Sequence, residues 1–169
     1  MMKKDQAEPW LRDTLSDTPA VLRAVLHSLQ AAEEDLLRWC GALTHEQINA
    51  CPFELPSVTF HLKHIAGGLD RLLTYAEGCE LNAEQAQALK SEATPAVDKD
   101  ELVRELTAAL KASENRVRRM NPGELEQPRV VGRRRLPTTL GGLLIHVAEH
   151  TQRHVGQAIT TAKIVAAKQ

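Results

Sequence analysis

Aromatic side chains are scarce in this sequence: Phe, Tyr and Trp together make up 3% of its 169 residues. Sheets packed face to face draw on aromatic and β-branched residues, whereas Leu and Ala, abundant here, favour helices packed on helices. Neither charge sign prevails. The 21 Lys and Arg against 22 Asp and Glu leave a net charge of −1, so no global field draws the chain to nucleic acid or to a membrane surface. Long apolar runs are missing as well, none approaching the ~20 residues that span a bilayer. The lysines of MMKKDQAEPW have no apolar segment behind them, so no secretory signal is expected. Cys40, Cys51 and Cys79 form an odd, scattered set without a C-x-x-C pair. That fits reduced thiols in the cytoplasm rather than a disulfide framework. What is present is a hydrophobic content of 43%, enough for one globular domain across residues 1–169.

Four long helical patterns alternate with segments rich in Pro and Gly. The first spans about Pro19 to Cys40, with Thr18 as its expected cap, Gly41 as its stop, and Val21, Leu22, Val25, Leu29, Leu36 and Leu37 as its apolar face. Thr44 and Gln47 have capping-box spacing for a short turn of helix, and Pro52 and Pro56 then interrupt. Ser57 is placed to cap the second helix, which carries VTFHLKHIAGGLDRLLTYAEG and stops near Gly78. A connector over residues 79–97 has helical potential in AEQAQALK. Asp98, with Glu101 three residues on, starts the third helix, which extends to about Met120. RVVGRRR allows no more than a brief extended ribbon. The fourth helix begins at Thr138 or Thr139 and carries LGGLLIHVAEHTQRHVGQAITTAKIVAA. This order predicts an all-α four-helix bundle.

The stretch HVAEHTQRHVGQ places three of the chain's seven histidines at every fourth position. At ~100° per residue, Leu140, Leu144, Val147, Val155, Ala158 and Ala162 share the arc that faces the core, with Glu149, Gln152, Arg153 and Thr160 opposite. His154 lies at the edge of the apolar arc, His150 one ~40° step further out, and His146 another step toward solvent. His150 and His154 are therefore the pair that looks inward. Residues at i and i+4 hold their Cβ atoms about 5–6 Å apart, close enough for two imidazoles to converge on one divalent ion. A third ligand has to come from another element, and the second helix offers His61 and His64. His61 lies nearer its apolar face of Val58, Ile65, Leu69 and Ala76, and His64 sits at the polar border, so periodicity leaves the choice open. Gly67 and Gly68 follow His64 and cost helix propensity, which close approach of a neighbouring helix or ligand would justify.

PSVTFHLKHIAGGLDRLL in the second helix and HVAEHTQRHVGQ in the fourth resemble the DinB/YfiT-like superfamily of metalloenzymes, unrelated to the polymerase that shares the DinB name. The resemblance covers nearly the whole chain in helix order. It implies a four-helix bundle with up-down-down-up topology and a divalent metal, zinc or nickel, held by three histidines. The histidine before Ile65-Ala66 is His64, and those before Val155-Gly156-Gln157 are His150 and His154, so the resemblance selects these three as ligands. The Trp-Ser start frequent before the family's second helix is here Pro56-Ser57, a departure that touches no ligand. His61 or His146 is a candidate fourth ligand.

Three neutral imidazoles leave an ion at least one open position and its full Lewis acidity. Such an ion lowers the pKa of a bound water or holds a thiol as thiolate. The family resemblance implies the second use, with a low-molecular-weight thiol such as bacillithiol or mycothiol transferred to an electrophilic substrate in detoxification. The same ligands also serve a metal-dependent hydrolase, and a site closed by a fourth protein ligand would make the protein a metal-binding stress scaffold. A homodimer is the expected assembly. Arg129 and Arg133 to Arg135 form a basic loop read as a solvated charge run, and without interleaved aromatics it predicts no nucleic-acid partner. The cysteines are expected to be buried or incidental thiols, His27 and His45 ordinary histidines, and Glu149 with Arg153 a helix ion pair. Gln157, Asp70 and Tyr75 are candidates to hold the outer ring nitrogens of the ligands.

Overall fold

The computed structural model describes residues 7–167; Lys3 and Lys4, on which the expectation about a secretory signal rests, lie outside that range, as do the last two residues. The chain is mostly helical. Four long helices carry it: α1 (Ala20–Cys40), α3 (Val58–Ala76), α5 (Lys99–Arg118) and α6 (Leu140–Ala167), with two short ones, α2 (His45–Asn49) and α4 (Ala83–Ser91), in the connections.

Local chemistry fixes most of the helix starts. Thr44 and Gln47 form the expected capping box at α2, and Asn82 and Gln85 form another at α4. The Ser57 hydroxyl accepts the Phe60 N–H at the start of α3. The Asp98 carboxylate accepts the N–H groups of Asp100 and Glu101 at the start of α5. Each bond satisfies a backbone donor that the helix itself leaves unpaired. The start of α1 differs from the expectation. Pro19, not Thr18, is its N-cap: the Pro19 carbonyl accepts the first helical bond from Arg23 N–H, and its ring, which carries no acceptor, gives no side-chain cap. After α3, Gly78 takes φ +80°, which lets the Gly78 and Cys79 N–H groups turn back onto the carbonyls of Tyr75 and Thr74.

The brief extended ribbon that RVVGRRR allows is formed, as a two-stranded hairpin. Pro128–Val131 (β1) and Leu136–Thr139 (β2) pair antiparallel, with Val131 opposite Leu136 and Pro128 opposite Thr139. Gly132, at φ +69°, makes the turn. The ribbon ends against the start of α6, where Leu140 and Gly141 donate backbone bonds to Gln127 and Leu125. Arg129 is tied down rather than solvated, its Nε donating to the Ala76 carbonyl at 2.7 Å.

The core is a stack of aliphatic residues from all four long helices. Leu140, Leu144, Val147, Val155, Ala158 and Ala162 of α6 are all buried, as are Val58, Ile65, Leu69 and Ala76 of α3. α1 contributes Leu22, Val25, Leu29 and Leu36, but Val21 is only half-buried and Leu37 is 44% exposed. Leu37 sits ~100° around the helix from Leu36, off the stripe that continues to Cys40. α1 and α3 each pack against both α5 and α6. Contacts along α1 and α6 advance together, Ser28 meeting Gln152 and Trp39 meeting Lys163. Those along α3 and α6 run oppositely, Pro56 meeting Thr161 and His64 meeting His150. Leu144→Ala is expected to destabilise the protein by about 2–5 kcal/mol. Leu37→Ala should change stability by no more than about 0.5 kcal/mol. Urea unfolding of the two variants checks this, and equal losses would contradict the assigned faces.

Candidate metal centre

The antiparallel seam between α3 and α6 brings four imidazoles together. Its two rungs are His61 with His154, Nδ1 to Nδ1 at 3.3 Å, and His64 with His150, Nε2 to Nε2 at 3.1 Å. His64 also meets His154, their ring centroids 4.3 Å apart, and His150 meets His154 at 4.7 Å. His64, His150 and His154 each offer a nitrogen within 4.8 Å of the other two. His61 lies outside that group although it is only 3% exposed. His146 is outside it too: its ring centroid is 5.7 Å from that of His150, and its side chain is 44% exposed, beside Glu149.

Two features explain how α3 presents His64. Phe60, one turn earlier, stacks on the His64 ring at 5.4 Å between centroids and 13° between planes, which fixes the ring's tilt. On the other edge, Glu92 Oε2 accepts from His64 Nδ1 at 2.6 Å. Glu92 is the buried residue that ends α4, so a connector helix supplies the partner that turns His64 Nε2 toward α6. The second Glu92 oxygen lies 2.7 Å from Arg71 Nη1, an ion pair outside hydrogen-bond alignment. The sequence reading missed Glu92. No spacing links it to a histidine, and only its place next to a helix C-terminus distinguishes it from other surface acids.

The paired glycines have distinct tasks. A Cβ on Gly68 would stand 2.8 Å from His150 Cε1, so only glycine lets α6 bring that ring against α3. A Cβ on Gly67 would meet Arg71 Nη1 at 2.6 Å and Glu92 Oε1 at 2.8 Å. Both glycines therefore make room for the residues around His64, which offsets their cost in helix propensity.

The other candidates fall elsewhere. Asp70 is paired with Arg116 and Gln85, away from the histidines. Tyr75 packs against the core and lines a groove with the hairpin arginines. Gln157 is exposed, and its side chain makes no hydrogen bond among the described residues. Glu149 turns to His146 rather than Arg153, so the expected ion pair is not formed. His27 is buried and bonds to Thr14 Oγ1, and His45 is exposed near Asn49. Cys40 is buried, and burial raises its thiol to about 12, whereas Cys51 and Cys79 are exposed.

Burial, then the neighbouring charges of His154 and His64, lowers His61 and His150 from 6.5 to about 4. His154 is lowered too, by burial first and then by His64 and Arg153. These rings are neutral at pH 7, the form that binds a cation. The donor set fits a divalent ion: nitrogens ~2.0–2.1 Å from a tetrahedral centre lie ~3.3 Å apart, close to the 3.1 Å between His64 and His150.

The family model described as the DinB superfamily matches residues 14–158 of the chain. A solved structure, that of a conserved protein from Enterococcus faecalis, shares the fold at a TM-score of 0.72 and 18% identity. The match covers 89% of this chain and 100% of that one. No curated protein matches the chain.

Two outcomes follow. Gly68→Ala should displace the His150 ring and weaken zinc binding by about 10-fold or more, a loss comparable to that from disturbing a ligand's orientation. Calorimetric titration with zinc checks it, and unchanged affinity would contradict the close-approach role. In the metal-free protein, unfolded histidines titrate near 6.5 while native His61 and His150 hold out to about 4. Between those values the unfolded state binds more protons, so stability is full above the window and is lost as pH falls through it. Urea midpoints on either side of the window should differ, with a smaller difference in His61→Gln; a flat profile would contradict the burial argument.

Proposed function

The chain belongs to the DinB superfamily, and from that membership we propose a divalent-metal-dependent enzyme whose ion is held by His64, His150 and His154. The observation that carries this reading is the convergence of three imidazole nitrogens within 4.8 Å of one another. Zinc and nickel both suit such ligands. The topology that accompanies the reading is the up-down-down-up bundle, supported by α1 and α6 running together and α3 running against α6.

The reaction we assign is transfer of a low-molecular-weight thiol to an electrophilic substrate. When bound, the ion supplies Lewis acidity that favours the thiolate at neutral pH. The protein's own residues do the rest. Glu92 holds the His64 Nδ1 proton, which fixes the tautomer, aims Nε2 at the centre and strengthens that nitrogen as a donor. His61 engages Nδ1 of His154 and leaves that ring Nε2 to offer. Phe60 keeps water from one face of His64. His61 lies outside the group of three, which favours a set of three imidazoles with room for a substrate atom over a scaffold site closed by a fourth protein ligand.

Metal content by mass spectrometry and thiol consumption with a test electrophile examine the proposal together. His64→Ala, His150→Ala and His154→Ala should each abolish stoichiometric metal binding. Glu92→Gln should retain the fold and lower metal affinity by about 10–100-fold. Metal that stays bound in His154→Ala contradicts the ligand assignment. Metal bound without consumption of any of several low-molecular-weight thiols contradicts the transferase reading and favours a scaffold.

A further inference from the structure

Beside His154 a cavity of about 470 Å³ opens between the start of α3 and the middle of α6. That is within the ~300–1,000 Å³ range of small-molecule sites. Leu55, Pro56 and Phe60 form an apolar wall, and His154 joins the cavity to the histidine cluster. Arg153 is the one charged residue among those that line it. Its natural helix partner, Glu149, lies beside His146 instead, and no hydrogen bond or ion pair engages the Arg153 guanidinium among the described residues. His61 and His154, the other ionisable side chains on the wall, face each other Nδ1 to Nδ1 at 3.3 Å and offer the guanidinium no anionic partner.

Gly156 supplies an independent observation. It lies inside α6, where glycine costs helix propensity relative to any side chain. At Gly68 the His150 ring explains that cost, but a Cβ on Gly156 would meet nothing within 4 Å. No packing contact requires a glycine there. What its missing side chain leaves open is the cavity it lines.

We propose that this cavity binds a small organic anion with an apolar body, its charged group on Arg153 and its apolar part against Leu55, Pro56 and Phe60. Resting on the metal-enzyme reading above, this molecule is the electrophilic co-substrate, and the cavity places it next to His154 and hence beside the thiol. A carboxylate suits the guanidinium because two parallel N–H donors match its two oxygens. The uncharged remainder of the wall selects against highly charged or strongly hydrated molecules.

The test uses the full chain, zinc-loaded and zinc-free, with 4-phenylbutyrate and its uncharged amide as probes and calorimetry or NMR titration as readout. The carboxylate should bind about tenfold or more tightly than the amide, and Arg153→Gln should remove that preference, as expected when a charge-assisted bond is lost. A Cβ at Gly156 meets no neighbour, so Gly156→Leu directs its side chain into the cavity; it should preserve unfolding midpoint and zinc content while weakening both probes by about tenfold. The proposal is overturned if the carboxylate does not bind at millimolar concentration, if acid and amide bind alike, or if Gly156→Leu leaves binding intact. It is also overturned if binding needs zinc but is indifferent to Arg153→Gln, since the ion alone would then hold the anion. Carboxylate selectivity in a protein that takes up no zinc would keep this site and reject the metal centre; zinc uptake without selectivity would do the reverse.

Discussion

Each imidazole nitrogen removed from water in the seam between α3 and α6 needs a partner, because an unsatisfied buried polar group is costly. Two of the contacts there are nitrogen to nitrogen, His61 with His154 and His64 with His150. A pair of neutral rings can share one proton across such a contact, but protonating more of them sets like charges a few ångströms apart, and burial already opposes it. A divalent cation resolves the conflict by accepting lone pairs from several rings at once. The composition of the seam thus suits a cation, and the surrounding structure keeps the rings in place.

That arrangement reaches well beyond the two helices. Gly68 removes the side chain that would keep His150 away, and Phe60 and Glu92 clamp His64 from two sides. Glu92 arrives from the connector between α3 and α5, and Arg71, one turn beyond Gly67, lies against its other oxygen. The connector is fixed in turn by the Asn82–Gln85 capping box and by Gln85 bonding to Asp70 and Thr74 of α3. A segment that looks like a linker between two long helices therefore sets the orientation of the His64 ring. Phe60 belongs both to this clamp and to the wall of the cavity that Gly156, Arg153 and His154 line, so the braced cluster and the open space share a side chain.

What could be read from the sequence was governed by how local its cause is. Caps at Thr44, Ser57 and Asp98 were legible because the acceptor and the donors it satisfies lie within three residues of each other. The inward arc of α6 was legible because one helix period decides it, and His146 fell outside the cluster on the same ground. Leu37 misled because apolar character alone put it on the face, although it points ~100° away from the stripe that Leu36 and Cys40 continue. The choice between His61 and His64 was not a matter of periodicity at all: both face α6, on successive rungs, and the resemblance rather than the wheel selected His64. Glu92 was out of reach because its role arises from a contact 28 residues away in the chain. Asp70, Tyr75 and Gln157, candidates for a place beside the site, make no hydrogen bond to its rings for the converse reason, since closeness in sequence to a histidine does not place a side chain beside its outer nitrogen.

The central claim is that an ion in this seam is bound by three imidazoles, with His61 serving as support rather than as a ligand. X-ray absorption at the zinc edge, on protein loaded with one equivalent of zinc, tests it most directly. The account predicts three imidazole nitrogens at ~2.0–2.1 Å and the remaining coordination from oxygen outside the protein. Four imidazoles, fewer than three, or a sulfur scatterer in protein free of added thiol would contradict it.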